Sequence, residues 1–392
     1  MSISSKQDEI IKILYVNLFT WLGGGEYSVY NLVKHTDPSR FHPILMFNKG
    51  GPFVEKVKSS GIETVVIPYV VVKPKKLLLP TVVWRNLRAS LQIKRFIRQR
   101  HIDVIQCSDV FSLILLLPTL LSRRIPVIYS VIIFYSFVRC MVFNLLALIF
   151  VRNIVTNSLS IKEHLLKRTF GLSTRTQVAY NGVDSEIFYP RSIKEKETTR
   201  RRVGLPLDKK IVGLIGRFEV WKGHFTFLQA AQQLLQIRGD IFFLIVGGAI
   251  TKEVAPEVAR YHNEVLEKID AMHLNGQLLL LENREDVAEI MAALDVFVCP
   301  SDYEPFGLVA LEAFASGVPV VASRTVGAVE VLNGFEGVYV AEPRNPTSFT
   351  QKIIEALGNR NTSTLTGSSV KSRFSWRAYA STFEELYSGV VR

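Results

Sequence analysis

The sequence predicts an α/β protein built from two parallel-sheet domains, and three observations carry that expectation. The chain has 392 residues, too many for one ordinary core and enough for two domains of similar size. Short apolar runs of strand length alternate with amphipathic stretches of helical period along both halves, which is the pattern of βαβ units. Between the halves lies a charged segment poor in apolar residues, Pro190–Lys210, with Pro190 and Pro206 near its ends, and it reads as a linker.

The elements follow in order. Ile11–Val16 reads as a buried strand. The glycine turn Gly23-Gly24-Gly25 comes next, then an amphipathic helix from about Glu26 to Lys34. Further strands are expected at His42–Phe47, Glu63–Ile67, Val104–Cys107 and Val127–Ile132, with a long helix at Thr81–Arg100. In the second half, strands are expected at Ile211–Ile215, Phe242–Val246, Gln277–Leu281, Val296–Cys299, Pro319–Ala322 and Gly337–Val340. Helices are expected at Gly223–Arg238, Glu257–Met272, Val287–Leu294, Leu308–Ser316 and Thr347–Leu357. The domains so drawn are 1–190, joined by a last helix at about 376–392, and 191–375.

Composition narrows the class. Hydrophobic residues make up 48% and aromatics 10% of the chain, which argues against disorder. Cys107, Cys140 and Cys299 are far apart and odd in number, so neither a disulfide framework nor a metal-ligand spacing follows, and a reducing compartment fits. Residues 1–9 are polar and the first apolar run is only strand-sized, so no secretory signal is expected and the localisation expected is cytoplasmic.

The charge is asymmetric. Residues 1–190 hold 24 Lys and Arg against 11 Asp and Glu, whereas residues 191–392 hold 23 against 24. All the excess positive charge is in the first half, which suggests an anionic partner: nucleic acid, a membrane surface or an acidic substrate. The bases cluster at Lys73, Lys75 and Lys76, along Arg85–Arg100, and at Arg123 and Arg124. In Thr81–Arg100 they are interleaved with Val83, Trp84, Leu87, Leu91 and Ile97, a composition suited to a membrane surface or to an ordinary half-buried helix. Pro126–Arg152 is apolar except for Arg139. The run after Arg139 is shorter than the roughly 20 residues a spanning helix needs. A core strand plus helix, a helix lying on a membrane and a spanning helix all remain open for this stretch.

The segment with most chemical content is Asp295–Glu330. A strand ends at Pro300, a short loop carries Glu304-Pro305-Phe306-Gly307, and a helix beginning near Leu308 carries Glu312. The opening of that helix presents unpaired N–H groups and a positive dipole end, an anion site suited to a diphosphate. Gly307 lets a ligand approach the backbone. Glu304 and Glu312, with seven residues between them, can accept hydrogen bonds from hydroxyl pairs on a sugar and a ribose. Either glutamate alone is as well explained by the preference of acids for helix N-termini; the whole string is not.

This string resembles the donor-binding signature of retaining family-4 glycosyltransferases of the group 1 type, in which two glutamates are separated by seven residues and Pro-Phe-Gly follows the first. The resemblance extends to Gly216-Arg217…Lys222-Gly223, to the turn Asn181-Gly182-Val183-Asp184, to the loop Gly23-Gly24-Gly25-Glu26 and to Phe374-Ser375-Trp376, where the last helix crosses back to the first domain. It implies a GT-B fold, two Rossmann-like domains facing across a cleft. It also implies transfer of a hexosyl group from a UDP- or GDP-sugar to an acceptor hydroxyl with retention of configuration, by front-face attack with the leaving phosphate taking the acceptor proton.

The site residues implied are Arg217, Lys222 and Glu304 for catalysis, and Gly24, Gly25, Gly216, Arg217, Lys222, Arg284, Glu304, Phe306, Gly307, Leu308 and Glu312 for the donor. A departing nucleoside diphosphate gains negative charge in the transition state, and a cationic clamp stabilises that charge beyond the ground state. Arg217 and Lys222, just past a strand, can form the clamp. No Asp-x-Asp pair is present, so no metal or other cofactor is expected. The glycine loop can lay N–H groups against the reacting phosphate from across the cleft.

Three positions depart from the family pattern. Ile132 and Gln106 stand where relatives usually carry histidines, the first of them close to the donor sugar. The usual glycine pair before Glu330 is reduced to Gly327, preceded by Val326. The basic first half suggests a lipid-linked or saccharide acceptor held at an anionic membrane, as in glycolipid or cell-surface polysaccharide assembly, with the protein peripheral on the cytoplasmic face. Two other readings stay open: a non-catalytic membrane-associated scaffold that keeps the donor fold, motivated by Ile132, and a nucleotide-sugar epimerase. A nucleic-acid binder fits the charge but leaves the glutamate string unexplained.

Overall fold

The computed structural model describes residues 10–18, 23–71, 79–248, 256–274, 276–359 and 373–391. It divides into two compact units, Met1–Tyr180 with Trp376–Arg392, and Asn181–Ser375.

The first unit is a seven-stranded parallel sheet. Its strands are β1 (Ile11–Leu18), β2 (Phe41–Phe47), β3 (Glu63–Val66), β4 (Val104–Cys107), β5 (Val127–Val131), β6 (Val151–Thr156) and β7 (Thr176–Val178). They lie in the order β3-β2-β1-β4-β5-β6-β7. The connecting helices are α1 (Gly24–His35), α2 (Pro52–Ser59), α3 (Pro80–Arg100), α4 (Val110–Leu120), α5 (Phe137–Phe150) and α6 (Leu159–Leu166). Strands β4 and β5 at the centre are wholly buried, as runs such as Val127–Val131, apolar but for Ser130, require when helices cover both faces.

The second unit holds a six-stranded parallel sheet of β8 (Lys210–Ile215), β9 (Ile241–Gly247), β10 (Leu278–Glu282), β11 (Val296–Cys299), β12 (Val320–Ser323) and β13 (Val338–Ala341), in the order β10-β9-β8-β11-β12-β13. Its helices are α7 (Ile193–Val203), α8 (His224–Ile237), α9 (Pro256–Ala271), α10 (Val287–Ala292), α11 (Leu308–Ala315), α12 (Val329–Leu332) and α13 (Pro346–Gly358). Both sheets are the doubly wound, Rossmann-like kind, in which the strand order reverses direction beside the first strand.

The last helix, α14 (Trp376–Val391), belongs to the first unit. Trp376, Tyr379, Ala380, Phe383 and Tyr387 recur at helical spacing and are buried. Trp376 meets Tyr27 edge-on at 5.8 Å, and the Tyr387 and Tyr15 hydroxyls share a hydrogen bond of 2.8 Å.

Two expectations need correction. The Pro190–Lys210 stretch is no extended linker, because α7 occupies its middle. Ser192 and Glu195 form a reciprocal capping box at its start, and Gly204 closes it in the left-handed conformation. Arg200 then anchors α7 inside the second unit through Asp295 at 2.7 Å. Ile97, expected among exposed bases on α3, is a core residue; Val83, Trp84, Leu87 and Leu91 are indeed exposed. Lys73, Lys75 and Lys76 lie outside the described residues. Pro126–Arg152 forms β5, α5 and the start of β6, and among the described residues no helix is long and apolar enough to cross a membrane.

Candidate functional site

In the second unit the chain runs from β8 to β9 and β10 in one direction, then returns to lay β11, β12 and β13 on the other side of β8. Strands β8 and β11 are therefore neighbours whose following loops part in opposite directions. That leaves a crevice at their carboxyl ends, where doubly wound sheets place ligands. The loop after β8 carries Gly216, Arg217 and Lys222; the loop after β11 carries Glu304, Phe306 and Gly307. Residues far apart in sequence are thus brought together by topology.

The centre of the crevice is an ion pair. Lys222 donates from Nζ to Glu304 Oε2, and the two side chains are only 13% and 10% exposed. The ammonium also lies 4.2 Å from the centre of the Trp221 ring, and Trp221 stacks on Tyr303 at 5.5 Å. The two loops are tied by their backbones as well, Asp302 N–H donating to Trp221 C=O at 2.8 Å. Gly223 makes their approach possible. It has a φ of +74°, and a Cβ there would lie 2.0 Å from the Pro300 carbonyl oxygen.

The glutamate loop is clasped from a second side. Glu304 N–H donates to Thr325 C=O at 3.1 Å, and Gly327 N–H returns to Glu304 C=O at 3.0 Å. A Cβ at Gly327 would meet Pro305 O at 2.3 Å, so this glycine is sterically required. Val326, which stands before Gly327 where the usual pair has its first glycine, is buried with a methyl against the face of Gly307. Gly307, at φ +89°, caps the start of α11 without a side chain over it, so the first N–H groups of that helix stay open to an anion. Phe306 is buried beneath this turn, and Leu308 is the first residue of the helix.

Glu312, one turn into α11, keeps an accessible edge but is densely surrounded. Burial pushes its carboxyl up from the usual 4.5 to about 7, against the opposing pull of the Lys222 charge. His224 opens α8 directly after Gly223 and is fully buried, stacked on Phe218 at 5.0 Å. Burial first, then the Lys222 charge and His262, lower its pKa to about 3, so it is neutral. Its Nε2 is buried with no hydrogen-bond partner among the described residues. The sequence reading missed Trp221, Tyr303 and His224. Their adjacency to Lys222, Glu304 and Gly223 was the available signal.

Other expected residues are placed elsewhere or engaged elsewhere. Arg217 is half exposed and paired with its near neighbour Glu219 at 2.7 Å rather than with the Lys222–Glu304 pair. Arg284 makes a bidentate pair with Asp286, at 2.8 and 2.7 Å. A Cβ at Gly216 would touch the Lys222 stem at an ordinary 3.7 Å, so packing within the protein does not demand glycine there.

Gly24 and Gly25 belong to the first unit, where they open α1. A Cβ on Gly25 would lie 2.6 Å from Ile132 Cδ1, so Ile132 packs directly against the glycine turn. Gln106 is buried, donating to Ser130 Oγ at 2.7 Å and accepting from the Tyr387 hydroxyl at 3.4 Å; it ties α14 to the sheet. Among the described residues no three His, Cys, Asp or Glu side chains assemble as a metal site.

Comparison with known proteins gives two family matches that between them span most of the chain. Residues 195–373 match "Glycosyl transferases group 1", and residues 22–187 match "Glycosyltransferase Family 4". A D-inositol 3-phosphate glycosyltransferase of Corynebacterium efficiens is 31% identical over 222 residues, covering 55% of this chain and 51% of that protein. Spore coat protein SA of Bacillus subtilis is 27% identical over 248 residues, covering 60% and 65%. The chain thus spans about half the length of the first of these curated relatives. Among solved structures, Anabaena Alr3699/HepE in complex with UDP and glucose superposes with a TM-score of 0.80 at 20% identity, covering 96% of this chain and 99% of that one.

Proposed function

Since the chain belongs to the group 1 and family 4 glycosyltransferases, with the GT-B fold, we propose that it moves a hexosyl group from a UDP- or GDP-sugar to an acceptor hydroxyl, with retention of configuration and without a metal. The observation that carries this reading is the Lys222–Glu304 pair in the β8/β11 crevice, beside the open first turn of α11 and the partly buried Glu312.

Each group has a task in that reaction. The diphosphate binds at the first turn of α11, where N–H groups and the helix dipole favour an anion. Lys222 offsets the charge that grows on the departing phosphate, and Arg217, released from Glu219, adds to it. Glu304 accepts hydrogen bonds from sugar hydroxyls and Glu312 from the ribose. Arg284, paired with Asp286, flanks the donor. The bond from the anomeric carbon to the phosphate oxygen breaks as the acceptor oxygen adds on the same face. The acceptor proton passes to the leaving phosphate, so no side chain need act as base.

UDP and glucose bound to the Anabaena protein support a nucleotide-sugar donor. The basic first unit supports a lipid-linked or saccharide acceptor at an anionic membrane on the cytoplasmic side, in glycolipid or cell-surface polysaccharide assembly.

A thermal-shift panel of UDP, GDP, ADP and their sugars tests the donor. UDP or GDP at about 100 times its dissociation constant should add about 2.7 kcal/mol to stability. Failure of every nucleotide to shift the transition would refute the reading. A second reading, a non-catalytic chain that keeps the donor fold, draws on Ile132 against Gly25. Donor binding without any donor hydrolysis or transfer would favour it.

A further inference from the structure

We propose that α5 is the element that inserts into an anionic bilayer, anchoring the first unit by apolar contact and not by charge alone. This deepens the membrane part of the function proposed above and is independent of the transfer chemistry.

On α5 the buried residues Cys140, Phe143, Asn144 and Ala147 define one face. The opposite arc carries Phe137, Val138, Met141, Val142, Leu145 and Ile149, all apolar and exposed, with Phe137 at 63%, Val138 at 69%, Leu145 at 65% and Ile149 at 67%. No polar side chain interrupts that arc, and a helix face turned to water is ordinarily charged or polar. Phe170, 72% exposed, follows α6, its backbone N–H held by Asn144 Oδ1 of α5 at 2.6 Å. An apolar patch of this kind marks an interaction surface.

Charge decides what covers it. Between Asp109 and Glu163 the chain has no acidic residue. Exposed Arg123, Arg124, Arg139, Arg152 and Arg168 lie on or near α4, α5 and α6, and right-handed crossovers place those helices in one layer over the sheet. Helix α3, on the same side by the same rule, contains bases and no acid. Two copies of such a face would repel, whereas an apolar stripe on a basic helix layer suits acyl chains beneath anionic headgroups. Helix α5 is too short to span, so it lies in the interface plane.

The test uses the full chain with vesicles of phosphatidylglycerol and phosphatidylcholine, and of phosphatidylcholine alone. Wild type should sediment with the anionic vesicles and be weakened, not fully released, by high salt. Leu145→Glu with Ile149→Glu should weaken vesicle binding by about tenfold or more at low and at high salt, leaving the nucleotide-induced thermal shift intact. Ile193→Glu, at an exposed apolar site in the second unit, should change nothing.

Wild-type-like binding by the α5 double variant would overturn the insertion while leaving a purely electrostatic membrane contact. No binding of wild type to anionic vesicles would overturn both. A wild-type dimer in sedimentation velocity that Leu145→Glu dissociates would show that a second copy covers the face, and would also overturn the inference.

Discussion

Glu312 couples its environment to pH in a direction that can be worked out. Its carboxyl titrates near 7 in the folded chain and near 4.5 when unfolded. The folded state therefore holds the proton over a range where the unfolded state has lost it. Stability attributable to this group is complete below about 4.5 and is lost as pH rises through 7, a change of about 3 kcal/mol. Glu312→Gln should then stabilise the nucleotide-free protein at pH 8 relative to wild type and change it little near pH 4, as read by denaturant unfolding. If the ionised carboxylate holds the ribose, wild-type nucleotide affinity should fall on acidification from pH 8 to 6, and that slope should vanish in Glu312→Gln. A flat wild-type profile in calorimetry would sink the assignment.

Lys222 lowers this pKa, so Lys222→Met should move the midpoint upward; it should also leave Glu304 buried and unpaired, at a cost of about 3–5 kcal/mol. Loss of turnover in that variant, expected at about 100-fold or more, has to be measured where the fold is still intact. At this scale the spacing in the sequence singled out Glu304 and Glu312, and the resemblance singled out Lys222, which the structure pairs with Glu304. It could not show that Arg217 turns to Glu219, because side-chain partners within a loop depend on packing that no periodicity records. Nor could it show that Gln106 is a buried tie between strand and helix.

The two loops that meet over Pro300 behave as one element, and two glycines of the first loop separate packing from binding. Gly223→Ala puts a methyl into a carbonyl at a left-handed backbone position, and should destabilise the second unit by several kcal/mol, roughly 2–4. Gly216→Ala meets only ordinary contact distances, so its melting transition should stay near that of wild type. Any loss of nucleotide affinity in Gly216→Ala would then report crowding of the ligand itself. Equal melting losses in the two variants would contradict this division.

Strands such as Val104–Cys107 and Val296–Cys299 were legible because an apolar run bounded by polar turns has few other uses. The passage from α5 into β6 was not. Residues on both sides of Phe150 are apolar, so neither period marks the change. Helix α7 was hidden for the opposite reason: its composition is charged throughout, and only the Ser192–Glu195 capping box betrays it.

Across the whole molecule, the two parallel sheets followed from the alternation of strands and helices; their strand order, which no periodicity records, is known only from the structure. The return of the chain to the first unit rested on resemblance, since no periodicity says where a helix docks. Packing now explains it. Trp376 is 1% exposed against Tyr27 and Tyr379, and Trp376→Ala should cost about 3–5 kcal/mol. In calorimetry that loss should appear in the transition that nucleotide does not raise. A loss confined to the nucleotide-responsive transition would contradict the assignment of α14 to the first unit.

That return also sets an order of manufacture. A ribosome delivers residues 1–180 first, yet the surface formed by Tyr15, Tyr27 and Phe41 stays uncovered until residues 376–391 are made, after the entire second unit has been synthesised. Domains usually fold as they emerge, first come first finished. Here the second unit is complete in sequence while the first still waits for its last helix, and for that interval Tyr15, Tyr27 and Phe41 lack the aromatic partners that α14 brings.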